Sequence, residues 1–280
     1  MSVISRESIS RLYLDFLETA ENKRRWSICN DIPWDELDVR APAEANAQCI
    51  EIFCSEEFYF PDYSSRGLDL VRSKFGMAAF QACWAFEESR HAMVFREYLT
   101  RSELRSEAQC TALEASVIAN AWSLPFATAR QMECYGAIQE GATYTAYRIQ
   151  KDRAREAGDK VLEAIFFYVA RDEAAHGGFY RSLVELELAQ DRAGTIADLG
   201  RVLAHFKMPG DGLIPDYRER LKSSGGGISS RTFVERVTLP LLTTLGIGRA
   251  ELKFETKRDE ALSSNRCIAA EDYPADLLNL

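Results

Sequence analysis

The sequence predicts an all-α protein built on a four-helix bundle with additional flanking helices. Three observations support this. Apolar residues recur at helical spacing through four long segments, and no stretch of useful length alternates as a strand would. Glu88-Ser89-Arg90-His91 and Glu173-Ala174-Ala175-His176 are both Glu-x-x-His. Each is preceded on another predicted helix by a lone Glu: Glu57 lies 31 residues before Glu88, and Glu140 lies 33 before Glu173. Residues three apart share a helix face, so each motif offers a carboxylate and an imidazole to one point.

Residues 6–25 form an amphipathic helix with Ile9, Leu12, Leu14, Phe16 and Leu17 as apolar members, closed by Lys23-Arg24-Arg25, which suit a helix C-terminus. Trp26 to Pro42 is an irregular linker with two Trp and two Pro. The first bundle helix spans 43–59, after Pro42, and Pro61 breaks its pattern. A short helix follows at 64–74. A long one at 77–101 carries Trp84, Glu88, His91 and Phe95 on a single stripe. After a helix at 106–121 comes the third bundle helix, 126–155, where Gly136, Thr143 and Tyr147 share a face with Glu140. Gly158-Asp159 turns the chain into the fourth, 159–191, with Phe166, Val169, Glu173, His176 and Tyr180 on one stripe. Residues 195–207 are helical; His205 has no acid three residues before it and reads as an ordinary helix residue. Met208 to Gly212 begins a loop, Ser223 to Gly227 reads as a flexible joint, and 230–244 reads as a helix kinked at Pro240. The tail after 255 carries no clear pattern. The expected organisation is a single domain over 1–280, with a bundle core at about 43–191 and a C-terminal helical extension at about 195–280.

The chain has 280 residues, 46% of them hydrophobic, enough for one full core. A net charge of −9 argues against nucleic acid as the main partner. No apolar run is long enough to enter a membrane, no signal peptide is read at the N-terminus, and seven scattered Cys without Cys-x-x-Cys fit reduced thiols in the cytoplasm.

With 43 acids among 280 residues and only three His, an acid three residues before both of two His would arise by chance in roughly 2% of cases. Two Glu from two helices plus Glu-x-x-His from two others is the ligand pattern of a carboxylate site for two iron or manganese ions. Four carboxylates neutralise two divalent cations, so the set can be buried without an unbalanced charge. Carboxylate and imidazole suit Fe(II) and Mn(II), and reduced iron activates O2, which side chains alone cannot do. The metal candidates are therefore Glu57, Glu88, His91, Glu140, Glu173 and His176, with Glu56 open as an alternative to Glu57. Asp172 is the candidate acceptor for the His91 ring, and Glu87 for His176. Trp84, Tyr147, Phe166 and Tyr180 read as bundle core, or as the lining of an apolar substrate channel.

Gln139-Glu140-x-Ala142-Thr143, Gly158-Asp159-x-x-Leu162 and Ala170-x-Asp172-Glu173-x-x-His176 together resemble the soluble acyl-(acyl-carrier-protein) desaturases. So do Glu87-Glu88-x-Arg90-His91 and Met208-Pro209. The likeness covers roughly 20–245. It implies a ferritin-like fold and a compact bacterial member, with a shorter segment between Glu57 and Glu88, a short C-terminal part and no plastid transit peptide. Within the resemblance Glu88 and Glu173 bridge two irons, while Glu140 and Glu57 each cap one. Glu57 is preferred because Glu57-Phe58-Tyr59-Phe60-Pro61-Asp62-Tyr63 keeps the Pro and Tyr of the family's first motif. Thr143 matches a Thr beside the O2 pocket. Asp172, with a surface Trp assigned to Trp26, matches an electron route.

The resemblance implies an O2-dependent desaturase that acts on an acyl chain held by an acyl carrier protein, takes electrons from a ferredoxin and forms a homodimer. A hydroxylase, N-oxygenase or alkyne-forming enzyme on the same site is an alternative, and a ferritin-like iron store is another. Docking an acidic carrier protein on an acidic enzyme would need a basic patch, for which Arg148, Lys151, Arg153, Arg155 and Lys160 are candidates beside a solvated helix end.

Overall fold

The computed structural model describes residues 5–39, 44–123 and 125–264; every regular element among them is helical. Four helices form the bundle: α2 (Glu44–Glu57), α4 (Phe75–Arg101), α6 (Ala129–Ala157) and α7 (Lys160–Gln190). α6 and α7 pack along their length and α2 lies on α4, while α1 (Arg6–Thr19) crosses α4 and α7. The sequence places these ends locally. The Thr128 side chain caps α6, Gly158 ends it at φ 76°, and the Asp159 carboxylate caps α7 by accepting from the Leu162 amide at 2.8 Å.

Several elements differ from the sequence expectation for local reasons. α1 stops at Thr19 and the chain widens into a π turn over Ala20–Arg24, which swings Arg24 inward instead of leaving it at a helix end. Pro61 does not stop helix formation. It sits in the first turn of α3 (Phe60–Val71), where its missing N–H costs nothing, so this helix starts four residues earlier than expected. Pro42 and the start of the first bundle helix at 43 lie outside the described residues.

α5 (Glu107–Ile118) carries a capping box of Ser106 and Gln109, and α8 (Arg192–Ala204) is capped by Asp191. α9 (Tyr217–Ser224) stands where no helix was expected. The Ser223–Gly227 stretch is pinned: Gly225 closes α9 at φ 70°, and Arg153 and Gln150 both donate to its carbonyl. The expected 230–244 helix is two short helices, α10 (Ser230–Phe233) and α11 (Leu239–Thr244), joined by a π turn. Pro240, in the first turn of α11, has no N–H to give back to that turn. The polar tail contains α12 (Arg249–Ser264), which packs on α8; residues 265–280 of the expected extension lie outside the described residues.

The bundle interior is apolar at both ends. Phe53, Phe95, Tyr147 and Phe166 pack together at one end, and Phe80, Trp84, Phe179 and Tyr180 at the other. A band of buried acids, histidines and one arginine lies between.

Apart from that band, Glu133 on α6 is 1% exposed and neither carboxylate oxygen has a hydrogen-bond partner. Burial, with Glu187 nearby, raises its pKa from 4.5 to about 8. A raised folded-state pKa contributes stability that is complete below 4.5 and is lost as pH climbs to about 8. The stability of the native chain relative to Glu133→Gln is therefore expected to fall by up to about 1.4 kcal/mol per pH unit across that window. Urea unfolding of both proteins between about pH 5 and pH 8 measures it, and parallel stability curves would refute it.

Candidate metal centre

Each site helix delivers its acid and histidine because i and i+3 share a face. Glu88 and His91 come from α4, Glu173 and His176 from α7, Glu57 from the last turn of α2 and Glu140 from mid-α6. All six are buried. They form two overlapping groups, Glu57, Glu88, His91, Glu173 and Glu88, Glu140, Glu173, His176, each with ligand atoms within 4.8 Å of one another. Glu88 and Glu173 belong to both. Glu88 places Oε2 3.1 Å from His91 Nδ1 and Oε1 3.0 Å from His176 Nδ1; Glu173 lies 3.2 Å from the first and 3.9 Å from the second. Glu56, on the next residue of α2, faces away and accepts a hydrogen bond from the Tyr217 hydroxyl of α9. Glu57 therefore lies in the cluster and Glu56 does not. His205 lies outside it, with Nδ1 2.9 Å from the Arg201 carbonyl.

The two outer carboxylates are held alike. Trp84 donates its indole N–H to Glu140 at 3.0 Å, and the Tyr147 hydroxyl donates to Glu57. Behind the histidines lie two more acids. Asp172 Oδ2 is 3.3 Å from His91 Nε2, and Glu87 Oε2 is 2.7 Å from His176 Nε2. A carboxylate can only accept, so the ring hydrogen is assigned to Nε2, leaving the Nδ1 lone pairs to face the centre. Trp26 donates to Asp172 at 2.7 Å. It is not a surface residue: at 6% exposure its ring is stacked on Tyr168 and covered by Arg90. Thr143 stands one turn after Glu140 with its hydroxyl donated to the Gln139 carbonyl at 3.0 Å, so it is spent on backbone and not on the carboxylates.

Sequence reasoning missed Arg24. It is 5% exposed and its Nη1 donates to Glu87 at 2.9 Å and Asp172 at 2.6 Å, while Arg25 donates to the other Glu87 oxygen at 2.5 Å. The available signal was the doubled acid in Glu87-Glu88 and Asp172-Glu173. Two carboxylates beyond those needed by a metal pair must be neutralised by buried cations.

The electrostatics fit a cationic occupant. Burial drives Glu57 and Glu140 well above the ordinary carboxylate range, reinforced by Glu88 beside the first and Glu173 beside the second. Burial would also raise Glu88, but His91 and His176 hold it well below that range. Burial would lower both histidines, and the surrounding carboxylates hold both well above their ordinary value. Glu88 Oε1, Glu140 Oε2, both Glu173 oxygens and His176 Nδ1 are buried without a hydrogen bond. Buried polar atoms are rarely left so, and a cluster of them with oxygen and imidazole donors suits divalent iron or manganese.

The fatty acid desaturase family profile matches residues 61–222, more than half of the chain and including five of the six convergent residues, Glu57 being the exception. The chain belongs to this family. Among relatives, "Putative acyl-(acyl-carrier-protein) desaturase DesA1" of Mycobacterium tuberculosis, in two strains, is 26% identical over 171 residues, 57% of this chain and 49% of that one. The chain thus spans about half the length of the curated relatives it matches. The X-ray structure of a putative acyl-ACP desaturase, DesA2 from Mycobacterium tuberculosis H37Rv, superposes with a TM-score of 0.66 at 18% identity, covering 89% of this chain and 98% of that one. That likeness supports the ferritin-like helical fold. Among the described residues no helix is long and apolar enough to cross a membrane.

Arg24 is expected to be the cation that the two outer acids depend on. Arg24→Met should lose about 3–5 kcal/mol, because Glu87 and Asp172 would stay buried with a neutraliser removed. Denaturant unfolding of the metal-free protein measures this, and a loss under about 1 kcal/mol would show that the pair tolerates its own charge.

Proposed function

We propose that this chain is an O2-dependent desaturase that introduces a double bond into an acyl chain held by an acyl carrier protein. The observation that carries the reading is the pair of four-residue groups sharing Glu88 and Glu173, a donor set shaped for two metal ions. In this reading Glu88 and Glu173 would serve both ions, with Glu57 and His91 holding one and Glu140 and His176 the other. Bound reduced iron supplies the activation of O2 that protein groups cannot; manganese would suit the same donors.

The chain's own residues do the positioning. Trp84 and Tyr147 fix the outer carboxylates, so their remaining lone pairs face the centre. Asp172 and Glu87 hold the two imidazole rings by Nε2. Trp26, Asp172 and His91 form a continuous hydrogen-bonded line, the route we assign to electrons from a ferredoxin-type donor. Two hydrogens leave the substrate with two electrons and two protons. The donor adds two more electrons and solvent two more protons, and together they reduce one O2 to two waters. We assign Thr143 to the wall beside the O2 site, one turn from Glu140.

For carrier docking, the structure supports a smaller basic patch than the sequence suggests. Arg153 is tied to the Gly225 carbonyl, Arg155 to Glu163 and Asp152, and Lys160 to Glu36. Arg148 and Lys151 are the better contacts in this proposal. We also propose one domain over 1–280, a homodimer and a cytoplasmic location; the six described cysteines, all free thiols, fit a reducing compartment.

The test is to load the protein with iron, reduce it without oxygen, and add O2 with a saturated acyl group on a carrier protein. About two irons per chain and loss of two hydrogens from the acyl chain are expected; a hydroxylated product would move the reading to a sister oxidation. Asp172→Asn should weaken iron binding about 10–100-fold in competition with a chelator, and unchanged affinity would remove its role in orienting His91.

A further inference from the structure

The two carboxylates that stand behind the cluster are not neutralised alike. Arg24 serves both: its Nη1 donates to Asp172 Oδ1 at 2.6 Å and to Glu87 Oε2 at 2.9 Å. The remaining partners differ. Glu87 receives a second guanidinium, with Arg25 Nη1 2.5 Å from Oε1. Asp172 receives the neutral indole N–H of Trp26 at 2.7 Å. Two further cations of this layer, Arg90 and Arg171, donate to the backbone carbonyls of Trp26 and Arg24, and Arg90 also covers the Trp26 ring. The acid behind His176 is therefore hydrogen-bonded to one more positive charge than the acid behind His91.

That difference reaches the cluster through the imidazoles. A carboxylate hydrogen-bonded to the far nitrogen of a ligating ring makes the near nitrogen a better donor. A carboxylate already matched by two guanidiniums does this less well, and the extra cation also repels a cation held beyond the ring. The His176–Glu87 contact is the shorter of the two, 2.7 Å against 3.3 Å, which by itself favours His176. The extra charge outweighs it, because its field acts directly on a doubly charged ion while the bond length acts only through the polarisation of the ring. The inner donors supply no opposing bias. Each half has one outer Glu held by one neutral donor, Tyr147 on Glu57 and Trp84 on Glu140, and both halves share Glu88 and Glu173.

We propose that Arg25 makes the two metal positions unequal, so that the Glu57–His91 position fills first and the Glu140–His176 position fills last and empties first. This rests on the reading that the cluster holds two metal ions. The tighter position is the one that the Trp26–Asp172–His91 line reaches. Arg25 suits such a role because it stands at the edge of the buried layer. Its side chain is 31% exposed, and without it Glu87 still keeps Arg24 and His176. Charge at this position can therefore change without leaving a buried acid unpartnered, which is not so at Arg24.

The test titrates Mn(II), which suits the same donors, into the metal-free full chain and counts free Mn(II) by electron paramagnetic resonance. Two binding steps are expected. Arg25→Gln, which keeps a hydrogen-bond donor and removes the charge, should tighten the second step about tenfold and leave the first nearly unchanged. Arg25→Lys, which keeps the charge, should behave as the native chain does, whereas a merely structural role would move both variants alike. Glu57→Gln should weaken the first step more than Glu140→Gln does. An unchanged second step in Arg25→Gln, equal shifts in the two Arg25 variants, or equal effects of the two Glu variants overturns the proposal. Should Arg25→Gln fail to fold by circular dichroism, the two Glu variants still decide the order of filling. A native chain that binds no Mn(II) overturns the proposal together with the metal reading. No step of the test involves O2, a carrier protein or turnover, so unequal steps without desaturation would sink the desaturase reading alone.

Discussion

Everything in this bundle follows from the need to bury six carboxylates in one layer of its core. Four of them, Glu57, Glu88, Glu140 and Glu173, carry four negative charges, which two divalent cations would cancel. The other two, Glu87 and Asp172, are cancelled by Arg24 and Arg25. Taking a charge out of water costs several kcal/mol when it has no partner. The inner layer therefore calls for metal and the outer layer for arginine. The π turn over Ala20–Arg24 makes sense as the means of supplying that arginine. A regular helix would carry Arg24 past the bundle, while the widened turn brings it to both acids.

This division explains what could be read from the residues. The inner layer obeys a local rule: Glu-x-x-His places both donors on one helix face, and the same rule recurs in two halves of the chain, so Glu88, His91, Glu173 and His176 stand out without a structure, whereas Glu57 was separable from Glu56 only through the family resemblance. Glu87 and Asp172 also follow locally, each adjoining an inner-layer Glu. Arg24 obeys no such rule. It is 63 residues from Glu87 and 148 from Asp172, and at the end of a predicted helix a basic run has an ordinary explanation in the helix dipole. The same limit applies to Trp26. Its partner was legible but its burial was not, because the cover comes from Tyr168 and Arg90 on two other helices.

Long helices were legible and short ones were not, for a related reason. α4, α6 and α7 are held by sustained apolar stripes and good caps, so periodicity finds them within a few residues. α9 has only two turns, and its stability comes from tertiary contact: Tyr217 reaches Glu56, and Arg153 and Gln150 hold the carbonyl at its end. A glycine-rich stretch reads as flexible when only its composition is considered. Here Gly225 is the residue that can take the left-handed turn closing α9, and the chain around it is fixed.

The histidine rings show how the outer layer controls the inner one. Each ring has two nitrogens, and only one can face a metal. Asp172 and Glu87 claim Nε2 on both rings, so Nδ1 points inward on both. Trp84 and Tyr147 do the same for the outer carboxylates by occupying one oxygen of each. The two histidines and the carboxylates of Glu57 and Glu140 are thus each held from behind by a neighbouring side chain, while Glu88 and Glu173 are not.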